Sequence, residues 1–286
     1  MFEIVLAAIL TLPPQTSDAI IGVSAIHFES GKRLSVRNVE RFPMGSVYKF
    51  PIALAVLRRV DIGTLSMEQV VTIEPRDFSP GWSPLRDNAK GQPIVLTVDQ
   101  LLRHMVSISD NTASDALLKL VGGPPVVTTR MAELGFSAIH IDRSEKQMVA
   151  DLRKPGGVAQ YAIDARDTST PDAMAELLVA FGNKRDGLSL ESHALLMHLM
   201  IETETGARRI KAAVPGATVA HKTGTMPGTT NDVALITLPS GEHIALAIFT
   251  KGSKRDVTAD AEDDIRAITE KVIRVMVSPA EGETIP

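Results

Sequence analysis

Pro43-Met44-Gly45-Ser46-Val47-Tyr48-Lys49, running into the apolar segment Phe50 to Leu57, is the stretch on which the fold of this chain turns. Gly45 interrupts the chain, Ser46 stands where a helix N-cap is expected, and the residues that follow are apolar enough for a buried helix. Ser46 and Lys49 are three residues apart, so one helical turn puts both on one face. A serine hydroxyl is a weak nucleophile until a base removes its proton, and a lysine whose pKa is lowered can be that base. The free N–H groups of a helix start can also hold a developing oxyanion. Pro51 falls just past the first turn and is expected to remove one backbone bond and kink the helix slightly. Alone, the same spacing describes an ordinary capped helix with a surface lysine. Two further stretches bear on the choice, Ser109-Asp110-Asn111 and Lys222-Thr223-Gly224.

The 286 residues suffice for one large core or for two lobes sharing an interface. A net charge of −4 speaks against a nucleic-acid partner, and no run of Lys and Arg marks a membrane surface. Without cysteine there is no disulfide framework, thiolate metal site or thiol nucleophile. The seven histidines form no H-E-x-x-H pattern, and His193 and His198 are five apart, so they are expected to be solvated or half-buried. Neither a metal nor a cofactor is expected. Ile4 to Leu12 is apolar but too short to cross a bilayer, and it carries Glu3 with no basic segment before it. It is expected to be a helix ending at Pro13-Pro14, with any export signal already missing from this chain.

Ile20 to Phe28 is rich in β-branched residues and precedes Glu29-Ser30-Gly31-Lys32 and Arg33 to Val36, a strand, turn and strand. From Ser46 to about Ala180 the pattern is helical. Thr97-Val98-Asp99-Gln100 forms a capping box before Leu101 to Ser107, and Asn111 to Val121 reads as a helix ended by Gly122-Gly123-Pro124. Thr170-Pro171-Asp172 starts another helix, with threonine as cap and proline at the first position. Ser189 to Glu202 is expected to be helical as well. Strands return at Val219 to Lys222, Asp232 to Leu238 and Glu242 to Thr250, before a closing helix from about Ala259 to Met276. Strands at both ends around a helical middle predict an α+β fold. Residues 1–40 and 205–286 would form one mixed lobe, residues 41–204 an inserted helical lobe, and a ligand would lie between them.

Ser46-Val47-Tyr48-Lys49, Ser109-Asp110-Asn111 and Lys222-Thr223-Gly224, in this order, resemble the penicillin-recognising serine enzymes, and among them the class A serine β-lactamases. Arg41-Phe42-Pro43-Met44, Arg166-Asp167-Thr168-Ser169-Thr170-Pro171 and Thr230-Asn231-Asp232 extend the resemblance over nearly the whole chain. It implies a β-lactamase/transpeptidase-like fold: a five-stranded antiparallel sheet flanked by terminal helices, plus the inserted helical lobe. Ser109 opens a turn into a helix, where a hydroxyl can pass a proton to a departing amide nitrogen. Asn111 offers an amide N–H to a substrate carbonyl, and Asp110 reads as structural, satisfying nearby backbone groups. Gly224 lets a ligand backbone lie against its strand.

By resemblance, the N–H groups of Ser46 and Thr225 form an oxyanion hole, and Lys222, Thr223 and Thr225 receive the substrate carboxylate. Arg209 would assist them, with Arg208 as the alternative, because Asn231 occupies the strand position where other members carry an arginine. Trp82, the only tryptophan, would be an aromatic rim residue. Glu145 matches the glutamate that activates the deacylating water, and Arg143 and Asp167 would pair across the neck of its loop. This chain departs from the common pattern in having Lys146 where proline is usual after that glutamate, and Val149 where many members hold water with an asparagine. Its loop is also several residues longer and resembles that of the extended-spectrum subgroup, which implies a wider cavity for bulky cephalosporins. The resemblance thus implies hydrolysis of penicillins or cephalosporins by a periplasmic or secreted monomer with no membrane or nucleic-acid partner. The acylation base is left open between Lys49 and a water on Glu145. A DD-peptidase that β-lactams merely block, or a sensor that acylates once, shares the first three motifs.

Overall fold

The computed structural model describes residues 8–254 and 258–277. Its centre is a six-stranded sheet in the order β1-β3-β2-β10-β9-β8. These strands are β1 (Ala8–Ile9), β2 (Ile20–His27), β3 (Arg33–Val36), β8 (Thr218–Met226), β9 (Thr229–Thr237) and β10 (His243–Lys251). Five of them are mutually antiparallel, and the two-residue β1 adds in parallel to β3 at one edge. Alternation along β10 explains why both faces of the sheet are covered. Ile244, Leu246 and Ile248 join one core with Ile265, Ile268 and Val272 of the closing helix, while Ala245, Ala247 and Phe249 join the other.

The second, larger core is helical, as the apolar segment after Lys49 implied. Helix α1 (Lys49–Asp61) is buried at every residue from Lys49 to Leu57. It is surrounded by α3 (Val98–Val106), α4 (Asn111–Leu120), α5 (Pro124–Glu133) and α9 (Leu190–Ile201). The short α2 (Pro84–Ala89) precedes α3, and α6 (Glu145–Leu152) and α7 (Gly157–Tyr161) lie within the long loop. Helix α8 (Pro171–Gly182) lies against β2 and β10, with α10 (Ile210–Ala213) and α11 (Thr258–Val277) on the far side of the sheet. The caps follow local chemistry: Thr97 with Gln100 closes a capping box on α3, and Thr170 caps α8 with Pro171 behind it.

The structure corrects several expectations. Ala8–Ile9 is a strand, because the apolar stretch there completes the sheet edge; of the helix expected over Ile4 to Leu12, Leu10 to Leu12 are irregular and residues 4–7 lie outside the described residues. The middle of the chain is not all helical. Two ribbons interrupt it, β5 (Val70–Ile73) with β6 (Ile94–Thr97), and β4 (Phe42–Pro43) with β7 (Thr168–Ser169). Ser46 is not a helix cap: Gly45–Tyr48 forms a 3-10 turn, and Lys49 opens α1 directly after it. Pro51 therefore sits inside the first turn of α1, where a missing N–H costs no intrahelical bond, and the helix runs on to Asp61. Strands β8 and β9 are longer than the apolar runs suggested, since Thr223 to Met226 and Thr229 to Asn231 continue the ladder.

Candidate active site

The turn carrying Ser46 is fixed from both sides. Gly45 has φ +51, which favours glycine, and Ser46 and Val47 carbonyls accept the Lys49 N–H. Strand β8 packs directly on this turn. A methyl group at Gly224 would lie 2.3 Å from Met44 O and 3.2 Å from Ser46 N, so only glycine allows the approach. Asn231, paired with Gly224 across β8 and β9, donates from Nδ2 to Pro43 O at 2.8 Å and Met44 O at 3.0 Å. The strand asparagine is therefore an anchor for the turn before Ser46. Ser46 itself is half-buried.

Lys49 is fully buried, with close hydrogen-bond acceptors and a carboxylate around its ammonium. It donates to Ser109 O at 2.7 Å and Asn111 Oδ1 at 2.7 Å, and lies 3.1 Å from Glu145 Oε1. Ser109 has φ +64, a rare conformation for a residue with a Cβ. Its Oγ lies between two lysines, 2.9 Å from Lys222 Nζ and 3.4 Å from Lys49 Nζ. Burial, together with the repulsion of Lys49, pushes the Lys222 ammonium well below the ordinary lysine range. Lys49, Ser109, Asn111, Glu145 and Lys222, widely separated in sequence, thus form one buried cluster.

Helix α4 positions two of these groups. Asp110 caps it, accepting from Ala113 N, and also takes Leu85 N and the Ser83 hydroxyl, which is the structural role expected for it. Asn111 is the first residue of α4, and its backbone N–H donates to Trp82 O at 3.0 Å. Its Nδ2 donates to Pro80 O at 3.0 Å. Trp82 is 60 % exposed, with Nε1 donating to Ile108 O. On the β8 side, Arg209 is buried: it donates to Asn231 O at 2.8 Å and Thr225 Oγ1 at 2.7 Å and pairs with Glu262. Arg208 points to Glu262 and Asp263 from an exposed position. Arg209, and not its neighbour, is therefore the arginine at the strand. Thr223 Oγ1 is bonded to Thr205 Oγ1 at 2.5 Å.

The loop holding Glu145 contains a helix that the sequence had signalled. Ser144 and Gln147 form a capping box on α6, a pattern present in Ser144-Glu145-Lys146-Gln147. Arg143 and Asp167 pair at 2.6 Å, and Arg143 also meets Asp151 and Asp164. Burial nevertheless pushes the Asp167 carboxyl up, against the pull of Arg143. Asp151, another carboxylate of the loop, is bound by Lys154 at 2.6 Å and Arg143 at 2.8 Å, which hold its pKa well below the usual carboxylate range. Val149, one turn after Glu145, is half-buried and offers no polar anchor.

Asp115 is the functional neighbour that sequence reasoning missed. One turn along α4 from Asn111, it accepts the backbone N–H of Glu145 at 2.8 Å and of Lys146 at 3.0 Å, and the Ser79 hydroxyl at 2.6 Å. Burial, with a further contribution from the charge of Glu145, raises its pKa. Only its spacing from Asn111 could have hinted at this. The histidines also differ from expectation: His27, His193 and His221 are buried, and Asp186 and Asp232 pair with His193 and His221. Among the described residues no group of three ligating side chains could hold a metal.

Comparison with known proteins agrees with this geometry. A model of the β-lactamase enzyme family matches residues 5–276. The chain is 39 % identical to β-lactamase VEB-1 of Pseudomonas aeruginosa over 266 residues, covering 89 % of this chain and 86 % of that protein. It belongs to the class A serine β-lactamases. Extended-spectrum β-lactamase PER-1 of Pseudomonas aeruginosa is 35 % identical, over 82 % of this chain and 76 % of its own length. Among solved structures, a β-lactamase from Chitinophaga pinensis DSM 2588 superposes with a TM-score of 0.82 at 33 % identity, covering 91 % of this chain and 95 % of the other. The TLA-3 extended-spectrum β-lactamase gives 0.81 at 34 % identity, covering 92 % and 94 %. A class A β-lactamase is a hydrolase that opens the lactam amide, and the chain shares that activity and the α+β fold of these relatives. No helix among the described residues is long and apolar enough to cross a membrane.

Proposed function

We propose that this class A β-lactamase opens penicillins and cephalosporins through an ester on Ser46, and that Glu145 drives hydrolysis of that ester. The observation that carries the reading is the buried contact of Lys49 with Glu145 beside Ser109. Ser46 Oγ attacks the lactam carbonyl carbon and loses its proton as the C–O bond forms. Lys49 has acceptors around its ammonium, so it takes that proton only after handing one to Glu145; alternatively, Glu145 takes it through a water. Collapse of the tetrahedral intermediate breaks the C–N bond. Ser109 gives its hydroxyl proton to the departing nitrogen and is resupplied by Lys222, 2.9 Å away and readily deprotonated for a lysine.

The N–H groups of Ser46 and Thr225 would hold the oxyanion, an assignment supported by the close packing of the turn on β8. Thr223, Thr225 and Arg209 would receive the substrate carboxylate, Gly224 would let it lie along β8, Asn111 would contact a substrate carbonyl and Trp82 would line the rim. Before the ester is hydrolysed, the proton held by Glu145 passes through Lys49 and Ser109 Oγ to Lys222, which restores both groups. Glu145 then removes a proton from water as it attacks the ester, and that proton goes to Ser46 as the product leaves. The substrate-bearing cleft lies between the lobe of residues 1–40 and 205–286 and that of residues 41–204. The family supports action as a periplasmic or secreted enzyme, and because every group named comes from one chain, we take it to work as a monomer.

Two variants test this reading by stopped-flow nitrocefin hydrolysis and intact-mass analysis of quenched samples. Ser46→Ala should show no adduct with penicillin, and a persisting adduct would exclude Ser46 as the nucleophile. Glu145→Gln should still acylate but accumulate the ester, since loss of a general base costs about 10²–10⁴-fold in the assisted step. Steady turnover like that of the wild type would remove Glu145 from its role. A wild type that gives a single burst without turnover would identify a sensor or a blocked peptidase instead.

A further inference from the structure

Helices α1 and α5 enclose a hollow of about 460 Å³ on the side of the molecule away from Ser46. Ala55, Arg58, Arg59 and Ile62 line it at a spacing that puts them on one face of α1 and its end. Val126, Thr129, Arg130 and Glu133 do the same on α5, with Pro125 beside them. Its volume lies within the range typical of small-molecule sites. The floor is apolar, and Ile62 is 49 % exposed there.

The charges in the wall are unbalanced. Three guanidinium groups, of Arg58, Arg59 and Arg130, face one carboxylate, Glu133, which lies 3.4 Å from Arg130 Nη1. Among the described residues Arg58 and Arg59 form no ion pair within 4 Å. Asp61, the acid that Arg58 influences, stands outside the wall and accepts from Ser189 and Ser192. Arg130 Nη2 is taken by Asp186 O at 3.0 Å, but its Nε is buried without a partner among the described residues. That Nε is closed to solvent, so a ligand in the hollow would meet the open guanidinium groups of Arg58 and Arg59 and the Nη1 edge of Arg130. The C-terminus of α1 favours basic residues in its last turn, but that does not account for Arg130, which stands on α5.

We propose that this hollow binds an amphiphilic organic anion, a single carboxylate carried on an apolar chain. The carboxylate would meet the guanidinium groups, whose fork geometry suits it, and the chain would cover Ala55, Ile62, Pro125 and Val126. Lys49 and Arg58 are nine residues apart on α1, roughly 14 Å along the axis at 1.5 Å per residue, so the hollow and the substrate cleft can be filled together.

Decanoate, titrated below its micelle concentration into the whole ¹⁵N-labelled enzyme, tests the site, with acetate and decyltrimethylammonium as controls. Decanoate should shift the Arg130 Nε–H resonance saturably, while acetate and the cation should not. In Arg58→Ala/Arg59→Ala its affinity should fall about tenfold or more, the cost of lost charge-assisted hydrogen bonds, with nitrocefin turnover kept. Val126→Asp, which sets a carboxylate in the wall, should weaken decanoate to a similar extent and serves if the double variant does not fold. Absence of a saturable shift, unchanged affinity in the variants, or equal binding of the cation would overturn the proposal.

Discussion

Two buried charge clusters lie close together in this enzyme and are built on opposite plans. Around Ser109, two lysines crowd one hydroxyl with a single carboxylate, Glu145, in contact with the farther one, Lys49. At the neck of the long loop, Arg143 is met by Asp151, Asp164 and Asp167, and Arg166 joins two of the same carboxylates. With Lys154 on Asp151, the second cluster is balanced, three cations against three carboxylates, and holds a segment in place. The first is not, and the surrounding fold keeps together charges that repel, which is why Lys222 is the group whose proton is loosened. Removing a charge should therefore have opposite consequences for stability in the two places.

The largest effect on stability is expected at the neck. Arg143→Ala leaves buried Asp167 without its partner and should cost about 3–5 kcal/mol in urea unfolding at neutral pH. The loss should shrink as pH falls, because protonation of Asp167 removes the uncompensated charge, and burial already favours that proton. A loss independent of pH would mean that packing, and not charge, holds the neck.

Arg209→Ala comes next. Arg209 bonds Thr225 Oγ1 and the Asn231 carbonyl, so its removal should lower kcat/KM by the equivalent of about 1.5–3 kcal/mol, with Arg208→Ala nearly silent. Greater sensitivity at Arg208 would move the proposed carboxylate-binding role to that residue.

The smallest stability change should come at Lys222, although activity should collapse. Lys222→Met replaces a buried ammonium with an apolar chain and should change the unfolding free energy by no more than about 1 kcal/mol, since isolated buried charge is not stabilising. In the wild type, the unfolded lysine binds its proton more tightly than the folded one. The unfolded state thus carries more protons between the lowered pKa and about 10.4, and stability should rise with pH across that window. Lys222→Met should lack this rise. A wild type showing no such slope relative to the variant would mean that Lys222 keeps an ordinary affinity for its proton.

Much of the architecture was legible because it is written locally. The β-branched residues of Ile20 to Phe28 marked a strand, and Thr97 with Gln100 and Thr170 with Pro171 marked helix starts. Where reading failed, a tertiary partner had overridden the local signal. The apolar stretch at Ala8–Ile9 became an edge strand because β3 was there to pair with it. Ser46 lost its cap position because β8 and Asn231 pin the preceding turn. The capping box at Ser144 shows the reverse case, a local signal that was present and passed over.

By itself the sequence determined which chemical groups are available and on which elements they stand: a serine three residues before a lysine, a Ser-Asp-Asn turn at a helix start, and a Lys-Thr-Gly strand. Only the tertiary structure decided how they meet. Ser109 lies 60 residues from Lys49 and 113 from Lys222, so their contacts depend on packing between separate elements. The same holds for the contact of Lys49 with Glu145, for Asp115 beneath the Glu145 N–H, and for the choice of Arg209 over Arg208. Periodicity and capping act over one or two turns, whereas the strength of a charge contact depends on distance and burial, which are set by the whole fold.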